Sequence, residues 1–149
     1  MLNPLIIFPT LFSLLVLLFS AIFHEYAHGW VANRLGDPTA RLLGRLTLNP
    51  IPHIDLFSSI LLPALLLAVG SPIIFGAAKP VPVNPIHFRD PKKDMALVAL
   101  CGPLTNLLIA ILASFVLRGI GNQFSSYPYI QSLLHSVVFY NLLLTIMKI

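Results

Sequence analysis

The chain has 149 residues and a composition unlike that of a soluble domain: 57% of its residues are hydrophobic, only 9% are charged, and its mean hydropathy is +0.89. Soluble proteins average about 25% charged residues, so this composition indicates an integral membrane protein. The net charge of +4 comes from scattered lysines and arginines, which is typical of membrane-flanking residues and argues against nucleic-acid binding. At this length we expect a single domain over residues 1–149.

Four apolar stretches are long enough to cross a bilayer, which takes about 20 helical residues. They run from about residue 4 to 34, 56 to 75, 95 to 117 and 129 to 149. The sequence therefore predicts an all-α, multi-pass membrane protein with about four transmembrane helices.

Two of the connecting segments suggest extended structure. Residues 37–55 are too polar to span and show partial alternation, which predicts a short β-hairpin at the membrane interface. Residues 79–85 contain three prolines, which forbid a helix and favour an extended chain. With four spans, the basic residues after the first and the second span fall on opposite membrane faces, so the orientation stays open.

The segment HEYAH at residues 24–28 lies inside the first predicted span. Residues i and i+4 share one face of a helix, so His24 and His28 can bind one metal ion. Glu25 is the only glutamate in the chain, and a carboxylate is costly to bury in an apolar helix, which favours a functional role. The three residues predict a hydrolytic Zn²⁺ site with Glu25 as the base that activates water. A polar cluster that merely joins helices is the alternative.

Three segments stand in order along the chain: HEYAHGWVANRLGD from residue 24, FGAAKPVPVNP from residue 75, and GPLTN at residues 102–106. Together they closely resemble the site-2 protease family of intramembrane zinc metalloproteases, in its compact prokaryotic form. The resemblance implies a multi-helix fold in a prokaryotic cell membrane, Zn²⁺ as cofactor, and cleavage of transmembrane protein substrates within the lipid bilayer. Whether the chain forms a homo-oligomer or binds a partner chain stays open.

The resemblance also assigns residues. It implies that His24 and His28 are zinc ligands and that Glu25 is the catalytic glutamate. Asn106, in GPLTN, becomes a candidate for a hydrogen bond near the active site, with an interhelical hydrogen bond as an equal alternative. Residues 79–85 resemble an extended segment beside the substrate cleft, where a strand can pair with an unwound substrate. An ordinary connecting loop is the other interpretation.

Two further residues, His53 and Asp55, match a family segment, and we expect them at a helix end or the interface rather than at the metal. The family's third zinc ligand is an aspartate in an Asn-Leu-x-Pro-x-x-Pro-x-Asp-Gly stretch, which this sequence lacks. Residues 140–147 approach that stretch, and Lys148 stands where its first asparagine is expected. We therefore expect a truncated protease whose site is completed by a carboxylate from elsewhere. The alternative is a catalytically inactive scaffold that binds membrane proteins without cutting them.

Overall fold

The computed structural model describes residues 4–71, 76–120 and 128–147, with side chains from residue 11 onward except those of residues 120 and 128. The described part is helical, and no strand occurs within it. Its α-helices are α1 (Pro4–Arg34), α2 (Thr39–Leu42), α3 (Leu62–Ala68), α4 (Pro91–Ile120) and α5 (Pro128–Met147). A π-helical turn, Leu56–Leu61, leads into α3, and single 3₁₀ turns lie at Ile51–His53 and Pro85–His87.

Three helices in the described part are long and apolar enough to cross a membrane. The stretches concerned are Leu11–Arg34, Pro91–Gly119 and Tyr129–Met147. They correspond to the first, third and fourth spans predicted from the sequence. Few of their large apolar side chains are buried, as is typical of helices that face lipid.

The second predicted span differs from the expectation. Of residues 56–75, the structure describes an apolar helix only over Leu56–Ala68, which is shorter than the roughly 20 residues a bilayer requires. The helix ends at Ala68, and Gly70 two residues later has a φ of +68°, the left-handed conformation that commonly follows a helix end. Residues 72–75, also part of the predicted span, lie outside the described residues.

Beyond the gap, the chain runs back alongside the short helix. The Ala77 N–H donates to the Ser58 carbonyl at 3.1 Å, and the Ser59 hydroxyl donates to the Ala77 carbonyl at 2.6 Å. The Lys79 N–H then donates to the His53 carbonyl at 2.8 Å, at the level where the excursion began. The segment between α1 and α4 therefore begins and finishes at the same end of the bundle formed by the three long helices.

Helix α4 packs antiparallel to α1, so the end of α1 and the start of α4 lie at the same end of the bundle. Ala32 near the end of α1 is buried against Phe88 and Val98, which precede and begin α4. The basic residues between positions 34 and 93, expected on two opposite faces, accordingly lie at the same end of the bundle. The sequence prediction was wrong here because it counted the short helix as a full span.

The predicted β-hairpin over residues 37–55 is also not formed. Asp37 instead accepts a hydrogen bond at 3.0 Å from the N–H of Thr39, the first residue of the one-turn helix α2. The Arg45 side chain, rather than its backbone, reaches the chain opposite and donates to the carbonyls of Lys79 and Pro80 at 2.7 and 3.1 Å. The polar alternation in this segment thus reflects side-chain bonds and not strand pairing.

Helix α5 completes the bundle and runs parallel to α1. Ser13 pairs with Ser136 at 3.5 Å, and two turns further on the Asn141 side-chain amide donates to the Ser20 hydroxyl at 2.9 Å. The rest of this contact is apolar, and its buried residues are Leu17, Ala21, Ala78 and Leu144.

Candidate metal site

Two histidines one turn apart on α1 converge on the backbone of α4. The ring centroids of His24 and His28 are 4.7 Å apart, and His24 is fully buried. A Cβ atom added at Gly102 would lie 2.6 Å from His24 Nε2 and even closer to His28 Nε2. Both Nε2 atoms therefore border the small space that the missing side chain of Gly102 leaves open.

A backbone carbonyl orients the second histidine. His28 Nδ1 lies 2.6 Å from the Val98 carbonyl oxygen, which can only accept, so Nδ1 carries the proton. Nε2 is then the basic nitrogen and points toward Gly102. Metal-binding histidines are commonly oriented in this way by a bond to their other ring nitrogen.

The glutamate lies against the extended chain that precedes α4. Glu25 is 3% exposed, and its Oε2 accepts a hydrogen bond from the Val81 N–H at 2.9 Å. Val81 stands between Pro80 and Pro82, so its N–H is the only backbone donor of residues 80–82. The close approach depends on Gly29, because a Cβ there would lie 2.9 Å from Val81 Cγ1.

His24 and His28 can supply two of the three protein ligands that a hydrolytic zinc site uses. Every histidine, cysteine, aspartate and glutamate of the sequence lies among the described residues, and within that part no group of three could hold a metal ion. Cys101 is near, but its Sγ is 3.6 Å from His28 Nδ1, the nitrogen that faces away from Gly102. The third ligand that the resemblance implied is therefore missing from the structure as well as from the sequence.

Asn106 lies one turn beyond Gly102 on α4 and is fully buried. Within the described part of the chain, neither its amide nitrogen nor its amide oxygen has a hydrogen-bond partner. Leaving a buried polar group unpaired costs about 1–3 kcal/mol. The structure thus shows neither of the two hydrogen bonds considered for Asn106, and it leaves the amide available on the face of α4 that carries Gly102.

The other residues of interest lie away from the histidines. His53 is buried, and its Nε2 lies 2.8 Å from the Thr47 carbonyl oxygen. Asp55 caps the helical turn that follows it and accepts from the Ser58 N–H at 2.9 Å. Both therefore lie at helix ends, as expected, and away from the two histidines of α1.

Sequence reasoning overlooked one buried carboxylate. Asp37, fully buried outside the membrane spans, accepts hydrogen bonds from Thr39, from the Asn84 N–H at 2.7 Å and from His87 Nδ1 at 2.9 Å. Burial alone would raise the pKa of Asp37, but the hydrogen bonds outweigh it and the pKa falls below its ordinary 3.8. The bonds join positions up to 50 residues apart, which no local pattern in the sequence can reveal.

A family model and individual relatives were compared with the chain, and their descriptions agree. The family model described as Peptidase family M50 matches residues 12–148. A Bacillus subtilis protein named "Putative zinc metalloprotease YwhC" is 43% identical over 114 residues, which are 76% of this chain and 48% of the relative. Mycolicibacterium smegmatis has a protein named "Putative zinc metalloprotease Rip2" that is 34% identical over 95 residues, 64% of this chain and 35% of the relative.

A Mycobacterium tuberculosis protein with the same Rip2 name is 36% identical over 95 residues. The chain therefore spans half or less of the length of these curated relatives. No solved structure matches it. The relatives are named as zinc metalloproteases, which supports Zn²⁺ as the cofactor.

Proposed function

Because the chain belongs to peptidase family M50, we propose that it carries the catalytic part of an intramembrane zinc metalloprotease. It would hydrolyse peptide bonds in or beside the transmembrane segments of other membrane proteins. His24 and His28 are proposed as zinc ligands and Glu25 as the catalytic glutamate.

The observation that carries this proposal is the convergence of two histidine Nε2 atoms on Gly102 inside an apolar helix. A helix pair held together only by packing has no need of a fully buried imidazole, a half-buried one and a buried carboxylate side by side, since burying such groups is costly. The bond from His28 Nδ1 to the Val98 carbonyl gives the second ring the orientation of a metal ligand.

The chemistry proposed for this chain centres on Glu25. Zinc, when bound, would supply the Lewis acidity that makes water reactive near neutral pH. Glu25 would accept the proton of the attacking water and pass it to the leaving amine. The Val81 N–H holds one oxygen of the carboxylate and thereby limits its rotation. Asn106, whose amide makes no bond within the described residues, is a candidate donor to the substrate carbonyl.

The proposed site lies toward the basic end of the bundle. Seven lysines and arginines occur between positions 34 and 93, at the end where α1 finishes, whereas Arg118 lies at the opposite end of α4. Positive residues favour the cytoplasmic side, so we place the end of α1 in the cytoplasm of a prokaryotic cell. His28 and His24 precede Arg34 by six and ten residues, which puts them roughly 9 Å and 15 Å from that end of the helix.

A third ligand must complete the metal site. We propose that it is a carboxylate supplied from outside these 149 residues, either by additional protein of the kind that the longer relatives contain or by a partner chain. Helix α5 already brings its last turns close, because the Thr145 hydroxyl oxygen lies 3.3 Å from the carbonyl oxygen of Pro103, the residue after Gly102.

Zinc binding and cleavage are tested separately. The purified chain in detergent is titrated with Zn²⁺ against a chelating dye, beside the variants His24→Ala, His28→Ala and Glu25→Gln. We expect both histidine variants to lose binding and Glu25→Gln to keep it. His135→Ala, which removes an exposed histidine on α5, serves as the control.

Cleavage is then measured with a membrane-tethered substrate in proteoliposomes, with the protein prepared together with whatever supplies the third ligand. Glu25→Gln should bind zinc and cut nothing. Undiminished cleavage by Glu25→Gln, or zinc binding that survives both histidine substitutions, would refute the proposed mechanism.

The alternative function is a non-cutting scaffold that binds membrane proteins, and one observation favours it. Within the described residues, which include every candidate ligand of the sequence, the metal site has only two histidines. On this hypothesis Glu25→Gln and His24→Ala would leave the capture of a transmembrane partner unchanged. Loss of a cellular phenotype in either variant would instead favour the protease.

A further inference from the structure

The extended chain from Lys79 to Asn84 is held at both ends, and Glu25 lies opposite its middle. At one end, the Lys79 and Pro80 carbonyls accept hydrogen bonds from the Arg45 guanidinium at 2.7 and 3.1 Å. At the other end, the Asn84 N–H donates to Asp37 Oδ2 at 2.7 Å. The Val81 N–H, between these anchors, is the group that reaches Glu25.

Of the two anchors, Asp37 is the buried one. Its Oδ1 accepts from the Thr39 N–H, the Thr39 hydroxyl and His87 Nδ1, and its Oδ2 accepts from the Asn84 N–H. Four donors from two segments surround a fully buried carboxylate. Hydrogen bonds to charged acceptors are about twice as strong as neutral ones, so this cluster can fix the register of the segment.

We infer that Asp37 is a positioning residue for Glu25: it anchors Asn84 so that the Val81 N–H reaches the carboxylate. On the far side of Val81 from the Arg45 anchor, Asp37 provides the hydrogen bond that fixes the backbone, and Pro80 and Pro82 have no N–H to donate. The consequence for catalysis rests on the proposed function, whereas the coupling between Asp37 and Val81 does not.

The substitution Asp37→Asn tests the inference with little change in size. The asparagine oxygen should turn toward the three donors at the Oδ1 position, which leaves its NH₂ group facing the Asn84 N–H. That contact joins two donors and cannot bind. Asp90→Asn makes the same chemical change in a partly exposed aspartate of the same membrane face and serves as the matched control.

The measurement is amide hydrogen exchange by NMR of the full 149-residue chain in lipid nanodiscs, labelled with ¹⁵N-valine. Val81 reports the contact with Glu25, and Val31 and Val98 report whether α1 and α4 stay folded. We expect Val81 to exchange on the order of tenfold faster in Asp37→Asn, with Val31 and Val98 unchanged. Asp90→Asn should match the wild type at all three valines.

Unchanged exchange at Val81 in a folded Asp37→Asn protein would overturn the inference, because Asp37 would then be only a local latch for Asn84. If Asp37→Asn unfolds α1 and α4, His87→Ala decides instead. That variant removes one donor from an exposed side chain and should speed Val81 exchange by a smaller factor. No effect of His87→Ala at Val81 would also count against the inference.

Cleavage supplies a second readout that separates the two proposals. Asp37→Asn should lower kcat more than it raises KM, since it misplaces the base without touching the substrate. If the wild type cuts and Asp37→Asn cuts equally well despite faster Val81 exchange, Asp37 is not a positioning residue. If the wild type cuts nothing, the proposed function fails, and the exchange measurement alone decides on Asp37.

Discussion

The two sides of the candidate site are built in different ways. The histidines meet α4 through helix-to-helix contact, where a glycine leaves room for two rings and a backbone carbonyl orients one of them. Glu25 instead meets a segment outside the helices, held by hydrogen bonds between positions 34 to 56 residues apart. The metal side therefore depends on close packing, and the glutamate side depends on a set of polar anchors.

The largest effect should come from filling the space at the histidines. Gly102→Ala puts a Cβ atom within 2.6 Å of His24 Nε2 and should reduce zinc affinity by about 100-fold, the upper range for losses caused by disturbed ligand orientation. Zinc titration in detergent measures the change. Gly119→Ala, on the same helix with nothing within 4 Å of the added Cβ, is the control and should bind like the wild type. Equal affinity in the two variants would mean that the histidines do not share the space at Gly102.

A smaller effect should come from the glutamate side. Val81→Pro removes the N–H that donates to Glu25 Oε2, and hydrogen bonds to charged groups contribute about 1.5–3 kcal/mol. We expect the free energy of unfolding in detergent to fall by about 2 kcal/mol. Because proline also alters packing, the substitution is repeated in a Glu25→Ala background, where its cost should largely disappear. A cost that is the same in both backgrounds would show that the bond contributes little.

The ionised carboxylate of Asp37 should make the stability of the fold depend on pH. Its folded pKa lies below 3.8, so its ionised form stabilises the fold above that pH, and the contribution is lost as pH falls through the lowered value. The melting temperature of the wild type should therefore fall more steeply below about pH 4 than that of Asp37→Asn. Asp90→Asn should keep the wild-type slope. Parallel curves for the wild type and Asp37→Asn would exclude a stabilising role for the ionised carboxylate.

The smallest effect on stability should come from removing an ion pair on the surface. Lys93 and Asp90 form an ion pair at 3.4 Å with side chains that are 83% and 47% exposed. Such pairs contribute about 0–1 kcal/mol, so Lys93→Ala should shift the melting temperature by no more than the error of the measurement. A loss comparable to that of Val81→Pro would mean that the contrast between buried anchors and surface charges is wrong.

The same contrast explains what could be predicted from the sequence. The positions of His24, Glu25 and His28 on one helix follow from local spacing, and α1, α4 and α5 follow from long apolar stretches. The length of the apolar stretch at residues 56–75 predicted a full span, whereas the helix stops just before Gly70, inside that stretch. Gly102 had a visible signal in the GPLTN motif, but its role depends on which helix faces it.

The glutamate side left weaker signals. Asp37 follows Gly36 directly after α1 and looks like an ordinary turn residue, since its partners Asn84 and His87 are far away in sequence. The alternating prolines around Val81 were read as an extended segment, and the structure has neither helix nor strand at residues 79–84. That this segment would present the Val81 N–H to Glu25 could not be inferred without the fold.

The alternating prolines have one more consequence, for the chain before it is fully assembled. An extended segment with unpaired backbone groups can pair with the same segment of another molecule and start aggregation. Pro80 and Pro82 have no N–H and interrupt the row of donors on either side of Val81, so an unbroken ladder of backbone bonds cannot form along the segment. The segment can thus stay extended beside the site and still be a poor template for self-association during membrane insertion.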